Sequence, residues 1–195
     1  MHIQAPVNVE FTRRPFFCAC IVAILAALSY GCHFPESGGK IEVEPLSLAR
    51  DGATVHVIVT GTDPIPAEQT AATELAAYLG KVTGAEFKVV PESEFTTGGT
   101  AAPAIYLGWT KYAAGQGIDL AGFDAEEWLL RRTGDSLIIA GGRPRGTLYG
   151  VYEFLEKQAR VYWLDRDTEI VPDRPRLDIG ALNTRAAPTM RFRKI

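Results

Sequence analysis

The stretch Ser136–Leu164, SLIIAGGRPRGTLYGVYEFLEKQARVYWL, decides the fold because it reads as strand, glycine turn, helix and returning strand without a break. Leu137, Ile138 and Ile139 form a short continuous apolar run, the pattern of a strand covered on both faces. Gly141-Gly142 ends that run at a tight turn. Pro144 suits a first helical position, where its fixed φ fits the helix and its missing N–H would have been unpaired anyway. Leu148, Val151, Tyr152, Leu155 and Ala159 then recur at spacings of three and four, an apolar stripe that needs a sheet to lie on. Gly146 and Gly150 stack on one side of the helix, where each costs about 1 kcal/mol relative to alanine. That cost predicts an unusually close approach of the helix backbone to the sheet or to a ligand. A phosphate cradle is a poor reading of GGRPRG, which fits neither G-x-G-x-x-G nor G-x-x-x-x-G-K-[ST].

Upstream, Thr54–Thr60 is β-branched with period two and predicts a strand, Val55, Val57 and Val59 on one face, His56 and Ile58 on the other. Pro66 opens a helix whose buried face is Ala72, Leu75, Ala76, Leu79 and Val82, and Gly84 ends it as a left-handed cap. Glu86–Val90 and Ala104–Leu107 read as strands, while Gly108–Asp124 is irregular or only briefly helical. Glu127–Arg132 and Ser136–Ala140 form a hairpin through Thr133-Gly134-Asp135, with Trp128 and Leu130 on one face and Leu129 and Arg131 on the other. Val161–Leu164 and Glu169–Val171 follow as strands. The expected class is α/β: a mixed sheet of about six or seven strands with two main helices against one face.

A length of 195 residues, 47% of them hydrophobic, suits one folded domain. The net charge of -3 and the scattered Lys and Arg leave no basic face and make no case for nucleic acid. The first 32 residues read as an export signal: Arg13 and Arg14, then the uncharged apolar stretch Phe16–Tyr30, then Gly31 at a plausible cleavage point. That stretch is shorter than the roughly 20 residues that span a bilayer comfortably, so an uncleaved anchor helix is the weaker alternative. Leu28-Ser29-Tyr30-Gly31-Cys32 resembles a bacterial lipoprotein cleavage box, which implies lipidation of Cys32, and Thr12–Phe17 resembles a twin-arginine signal. Residues 33–40 are a polar tether, and the expected location is the cell envelope, membrane-anchored or otherwise periplasmic or secreted. Cys18, Cys20 and Cys32 all fall in the leader, so the folded body has no disulfide framework and no thiol nucleophile. His2, His33 and His56 lie far apart and no C-x-x-C or H-E-x-x-H occurs, so no metal or other cofactor is expected.

The run G-x-x-R-G-T-x-Y-G-V-Y-x-F-L-E followed by Val161-Tyr162-Trp163-Leu164 resembles the N-terminal domain of bacterial alpha-glucuronidases. It is also similar to the non-catalytic domain that precedes the barrel in beta-N-acetylhexosaminidases and other glycosidase-like surface proteins. Glu74–Leu79 with Thr83-Gly84, Ile105-Tyr106-Leu107-Gly108 and Glu169-Ile170-Val171-Pro172 extend the resemblance, which covers roughly Ile41 to Ile195. It implies a domain over 41–180 and a tail over 181–195 that, in those families, leads into a catalytic (β/α)₈ barrel absent from this chain.

Glycoside hydrolysis needs two carboxyl groups about 5–10 Å apart across the sugar. Glu126, Glu127, Glu153, Glu156, Asp165, Asp167 and Glu169 are the candidates, but Glu153 and Glu156 fall on the polar side of their helix, and Asp165, Asp167 and Glu169 surround Arg166 in an apparent strand-to-strand turn. His56 has no serine elbow or acidic partner that would complete a triad, and is read as a surface or satisfied strand histidine. No catalytic residues emerge. For sugar binding, aromatic rings that stack on pyranose faces and arginines that orient hydroxyls or a carboxylate are available in Trp109, Tyr112, Arg143, Arg145 and Tyr149. The competing reading makes these residues core, caps or contacts to a partner domain. Two functions follow: an exported non-catalytic accessory domain of a glycoside hydrolase-like protein, or a free-standing cell-surface carbohydrate-binding module.

Overall fold

The computed structural model describes residues 44–95 and 102–189, so the expected leader with Cys32 and the expected tether lie outside the described residues. The elements run β1 (Leu46–Arg50), β2 (Val57–Thr60), α1 (Pro66–Thr83), β3 (Val89–Pro91), β4 (Ala104–Leu107), α2 (Lys111–Gly115), β5 (Trp128–Thr133) and β6 (Ser136–Gly141). Then come α3 (Gly146–Phe154), a π-helical turn (Leu155–Ala159), β7 (Tyr162–Trp163), β8 (Glu169–Ile170), β9 (Arg176–Ile179) and β10 (Asn183–Ala186). Six strands make a mixed sheet in the order β10-β5-β6-β4-β2-β3, and β1-β9 and β7-β8 pair separately. Strands β3, β2, β4 and β6 are parallel, whereas β5 and β10 run antiparallel to their neighbours. The expected α/β class holds.

Alternation along the strands sorts the core into two faces. Ile58, Ile105, Leu107, Leu130, Leu137 and Ile139 meet α1 and α3 on one face, and Phe154, Leu155 and Leu75 are buried there completely. Val59, Tyr106, Leu129, Ile138 and Ala140 meet Ala113 of α2 and Ile118 on the other. Every residue of β6 is therefore buried, as its continuous apolar run implies. Pro66 is the first residue of α1, and Gly84 closes it with φ 72° and an N–H that donates to the Gly80 carbonyl at 2.8 Å.

Four expectations are corrected. The helix after Gly142 starts at Gly146 with Arg145 as its cap, so Pro144 precedes the helix instead of opening it. The strand expected over Thr54–Thr60 is only Val57–Thr60, because Thr54 Oγ1 donates to Leu48 O at 2.6 Å and accepts from His56 N at 3.0 Å, which fixes a turn there. Val55, expected on a strand face, is 75% exposed. The strand expected at Glu86–Val90 is shifted to Val89–Pro91, since Phe87 is used as a core residue on the way in. The stretch Asn183–Ala186, expected within a tail, adds the edge strand β10 to the main sheet.

The two helix glycines do what their spacing predicts. A β-carbon at Gly150 would sit 3.1 Å from Trp128 Cβ and 3.2 Å from Ile139 Cγ2, and one at Gly146 would collide with the Glu127 carbonyl oxygen. Helix α3 thus lies directly on β5 and β6.

Candidate functional site

The five residues proposed for sugar binding do not form one site. Trp109 and Arg143 do come together, just beyond the carboxyl ends of β4 and β6, where open α/β sheets commonly bind ligands. The Arg143 guanidinium lies 4.6 Å from the Trp109 ring centroid and grips the Glu68 carboxylate twice, Nη2 to Oε2 at 2.9 Å and Nε to Oε1 at 3.2 Å. Glu68 is buried, accepts also from Ile65 N at 3.0 Å, and would touch a β-carbon on Gly108. Trp109 Nε1 donates to Gly141 O at 2.8 Å. The Glu68 carboxylate, the Trp109 N–H and the Arg143 Nε and Nη2 are all used internally, so the cluster pins the start of α1 across the ends of three parallel strands.

The remaining three residues lie elsewhere. Tyr112 stacks on Tyr106 against the α2 face, with centroids 3.8 Å apart and planes 8° from parallel. Arg145 is exposed and pairs with Glu126 at 2.8 Å. Tyr149 lines a cleft of about 390 Å³ together with Trp128, Tyr152, Glu153, Glu156, Trp163 and Pro188.

That cleft gathers the most aromatic side chains of the clefts in the described residues. Tyr149, Tyr152, Glu153 and Glu156 stand at i, i+3, i+4 and i+7, so α3 and its π-helical extension present them as one wall. Trp163 of β7 supplies a second wall. It meets Tyr152 edge-on at 5.0 Å and Tyr78 edge-on at 5.2 Å, and its Nε1 donates to Tyr78 Oη at 2.9 Å. Tyr78 in turn donates to Glu169, which Lys81 also holds at 2.8 Å, so β7 and β8 are tied to α1. These two donors hold the Glu169 carboxyl below its ordinary range, the lysine contributing most. Burial pushes the Tyr152 hydroxyl up, with the Glu74 carboxylate adding to it. Trp128 is 8% exposed, and its Nε1 has no partner among the described residues. Glu153 and Glu156 are half-buried here, not on the fully solvated helix face that their spacing suggested. The sequence signal for the cleft is the stripe of two tyrosines followed by two glutamates on α3, and no periodicity links it to Trp128 or Trp163.

A second cleft of about 320 Å³ shares Pro188 and is lined by Asp124, Ala125, Glu126, Glu127 and Ala187. Two of its three carboxylates are engaged: Arg185 grips Glu127 at 2.7 and 2.8 Å and holds that carboxyl below its usual range, and Arg145 holds Glu126. No group of three or more metal-ligating side chains gathers among the described residues.

Among solved structures, the chain is similar to a family GH115 4-O-methyl-alpha-glucuronidase with specificity for decorated arabinogalactans, with TM-score 0.52 and 19% identity over 74% of this chain. The fold is shared. This chain spans only 18% of that enzyme's length, so the likeness concerns a portion of a glycoside hydrolase. A GH138 enzyme targeting pectin rhamnogalacturonan II also matches, at TM-score 0.33 and 17% identity over 59% of this chain and 11% of that one, a likeness too slight to argue from. No protein-family model matches this sequence, and no curated protein matches it.

Proposed function

We propose that this chain is an exported, non-catalytic accessory domain of a glycoside hydrolase-like protein in carbohydrate metabolism, of the alpha-glucuronidase N-terminal type, which packs against and positions a (β/α)₈ catalytic domain. The observation that carries this reading is the disposition of the carboxylates. Cleavage of a glycosidic bond needs one carboxyl on each side of the sugar, the acid among them with a raised pKa. Glu153 and Glu156 stand side by side on one helical wall, Glu126 and Glu127 are held by arginines, and Glu68 is locked under Arg143. Glu127 and Glu169 are both shifted down, the wrong direction for a general acid. The resemblance in the GGRPRGTLYGVYEFLE run and the fold shared with part of a glucuronidase support the assignment. In this reading Cys32 carries a lipid anchor that holds the domain at the membrane.

Assay of the purified protein on aryl glucuronides and N-acetylglucosaminides tests the catalytic half, with no turnover at any pH as the expected result. Turnover that survives purification and disappears in Glu153→Gln or Glu156→Gln overturns it. The DNA following codon 195 tests the partner: a barrel in frame or in the adjacent gene supports the accessory role. Mass spectrometry of the exported protein tests the anchor, since a mature chain beginning elsewhere and free of lipid refutes modification of Cys32.

One observation favours the second reading, a free-standing carbohydrate-binding module: the aromatic cleft opens to solvent and is of ligand size. A glycan array with this protein separates the two, because specific retention of a glycan belongs to the module alone.

A further inference from the structure

We infer that the cleft between α3 and β7 is a saccharide subsite selective for a protonated amino sugar, and that it disfavours the uronic acids which the family resemblance would suggest. The inference builds on the module reading by naming a ligand class. Its volume of about 390 Å³ falls in the range of small-molecule sites. Tyr149, Tyr152 and Trp163 bring ring faces and edges to it, surfaces that pack on the apolar face of a pyranose and attract a nearby cation. Glu153 and Glu156 add two carboxylates on the same wall. Among the described residues Glu156 is paired with Lys157 at 2.7 Å, which leaves Glu153 as the unpaired carboxylate of that wall. A third carboxylate, Glu74, stands close enough to Tyr152 to help push its hydroxyl up. The surroundings are therefore acidic and π-rich. An ammonium group on the sugar meets favourable charge from the Glu153 carboxylate and from the rings, whereas a uronate carboxylate meets repulsion from Glu153.

Titration of the full chain with glucosamine oligosaccharides of two to four residues, followed by calorimetry and tryptophan fluorescence, tests this. Trp163 and Trp128 line the cleft, so saturable binding changes the emission. N-acetylated oligomers of the same length and glucuronate oligomers serve as comparisons. The expected order is amine first, N-acetyl weaker, and glucuronate not detected. Affinity for the amine falls with added salt, and falls again as pH rises through deprotonation of the amine. Glu153→Gln keeps the shape, removes a charge and weakens amine binding by about tenfold, the scale of a lost charge-assisted hydrogen bond. Unchanged thermal unfolding of that variant shows that the fold is intact. Equal affinity for amine and N-acetyl oligomers, an unaltered Glu153→Gln, or no saturable binding overturns the inference. Array retention of neutral glycans without any response to glucosamine overturns the ligand class alone and leaves the module reading standing. Displacement of the sugar by triarginine at equal affinity overturns it in favour of a basic protein surface as the occupant.

Discussion

In its first half helix α3 is pressed against its neighbours, with Gly146 under the Glu127 carbonyl and Gly150 on the side chains of Trp128 and Ile139. Two turns later the same helix faces the cleft with Glu153 and Glu156. The Arg143–Glu68–Trp109 cluster belongs to the closed end: three residues of types that bind sugars in other settings, committed mainly to one another and to backbone. The open end has unspent chemistry but weaker sequence signals. A residue's capacity to bind a ligand depends on which of its partners are already inside the fold, and only the geometry reveals that.

The comparison breaks most readily at Glu68. Removing one member of a buried ion pair strands the other charge, at a cost of about 3–5 kcal/mol in fully buried cases. The Arg143 side chain is 32% exposed, so Glu68→Ala belongs at the lower end, about 3 kcal/mol in urea melts. An unchanged midpoint would mean that Arg143 and Trp109 are not structurally committed and are free for a ligand. Next is Gly150→Val, where overpacking against Trp128 and Ile139 costs about 1–3 kcal/mol and outweighs the better helix propensity. A midpoint at or above that of the unaltered protein would show that the helix stands off the sheet.

A smaller, pH-dependent effect belongs to the opposite end of the sheet. His56 is buried at 3% exposure; its Nε2 donates to Asp135 O at 3.1 Å, while Nδ1 has no partner among the described residues. Burial lowers its pKa below the ordinary 6.5, against the smaller opposing pull of the Asp135 carbonyl. The unfolded chain therefore takes up a proton that the folded chain refuses. Stability is full above pH 6.5 and declines as pH falls from there through the folded value, and His56→Gln flattens that dependence in unfolding melts across the window. The smallest effect is expected in the cleft, where Glu153→Gln changes stability by less than about 0.5 kcal/mol because no fold contact depends on its charge. A large loss there would make Glu153 as structural as Glu68 and erase the contrast between the two ends of α3.

Much of this architecture was legible from local pattern. The continuous apolar run of β6, the alternation of β5 that puts Trp128 and Leu130 opposite Leu129, the left-handed Gly84 and the paired glycines of α3 each have a local physical cause. Three features had none. Strand β10 is polar, Asn183-Thr184-Arg185-Ala186, and forms only because the edge of β5 is there to pair with. The helix could not begin at Pro144 because Gly142 and Gly146 are drawn down onto Asp124, Ala125 and Glu127, a contact between distant segments. The cleft joins α3, β5, β7 and Pro188, four segments whose meeting no period in the sequence announces.

The β1–β9 ribbon has a consequence for how the chain is made. Leu46 faces Ile179 and Arg50 faces Arg176, so the first strand of the domain finds its partner only after nearly all the rest has been synthesised. Closing so long a loop costs entropy that grows slowly with its length, yet pairings this distant in sequence slow folding markedly. Leu48, wholly buried in the finished domain, leaves the ribosome long before Leu177 and Ile179, members of the same core cluster, exist. A nascent chain stalled before Arg176 carries that leucine uncovered, together with the bare outer edge of β5, two adhesive surfaces for other chains. Residues 176–186 decide whether Leu48 and the edge of β5 stay covered.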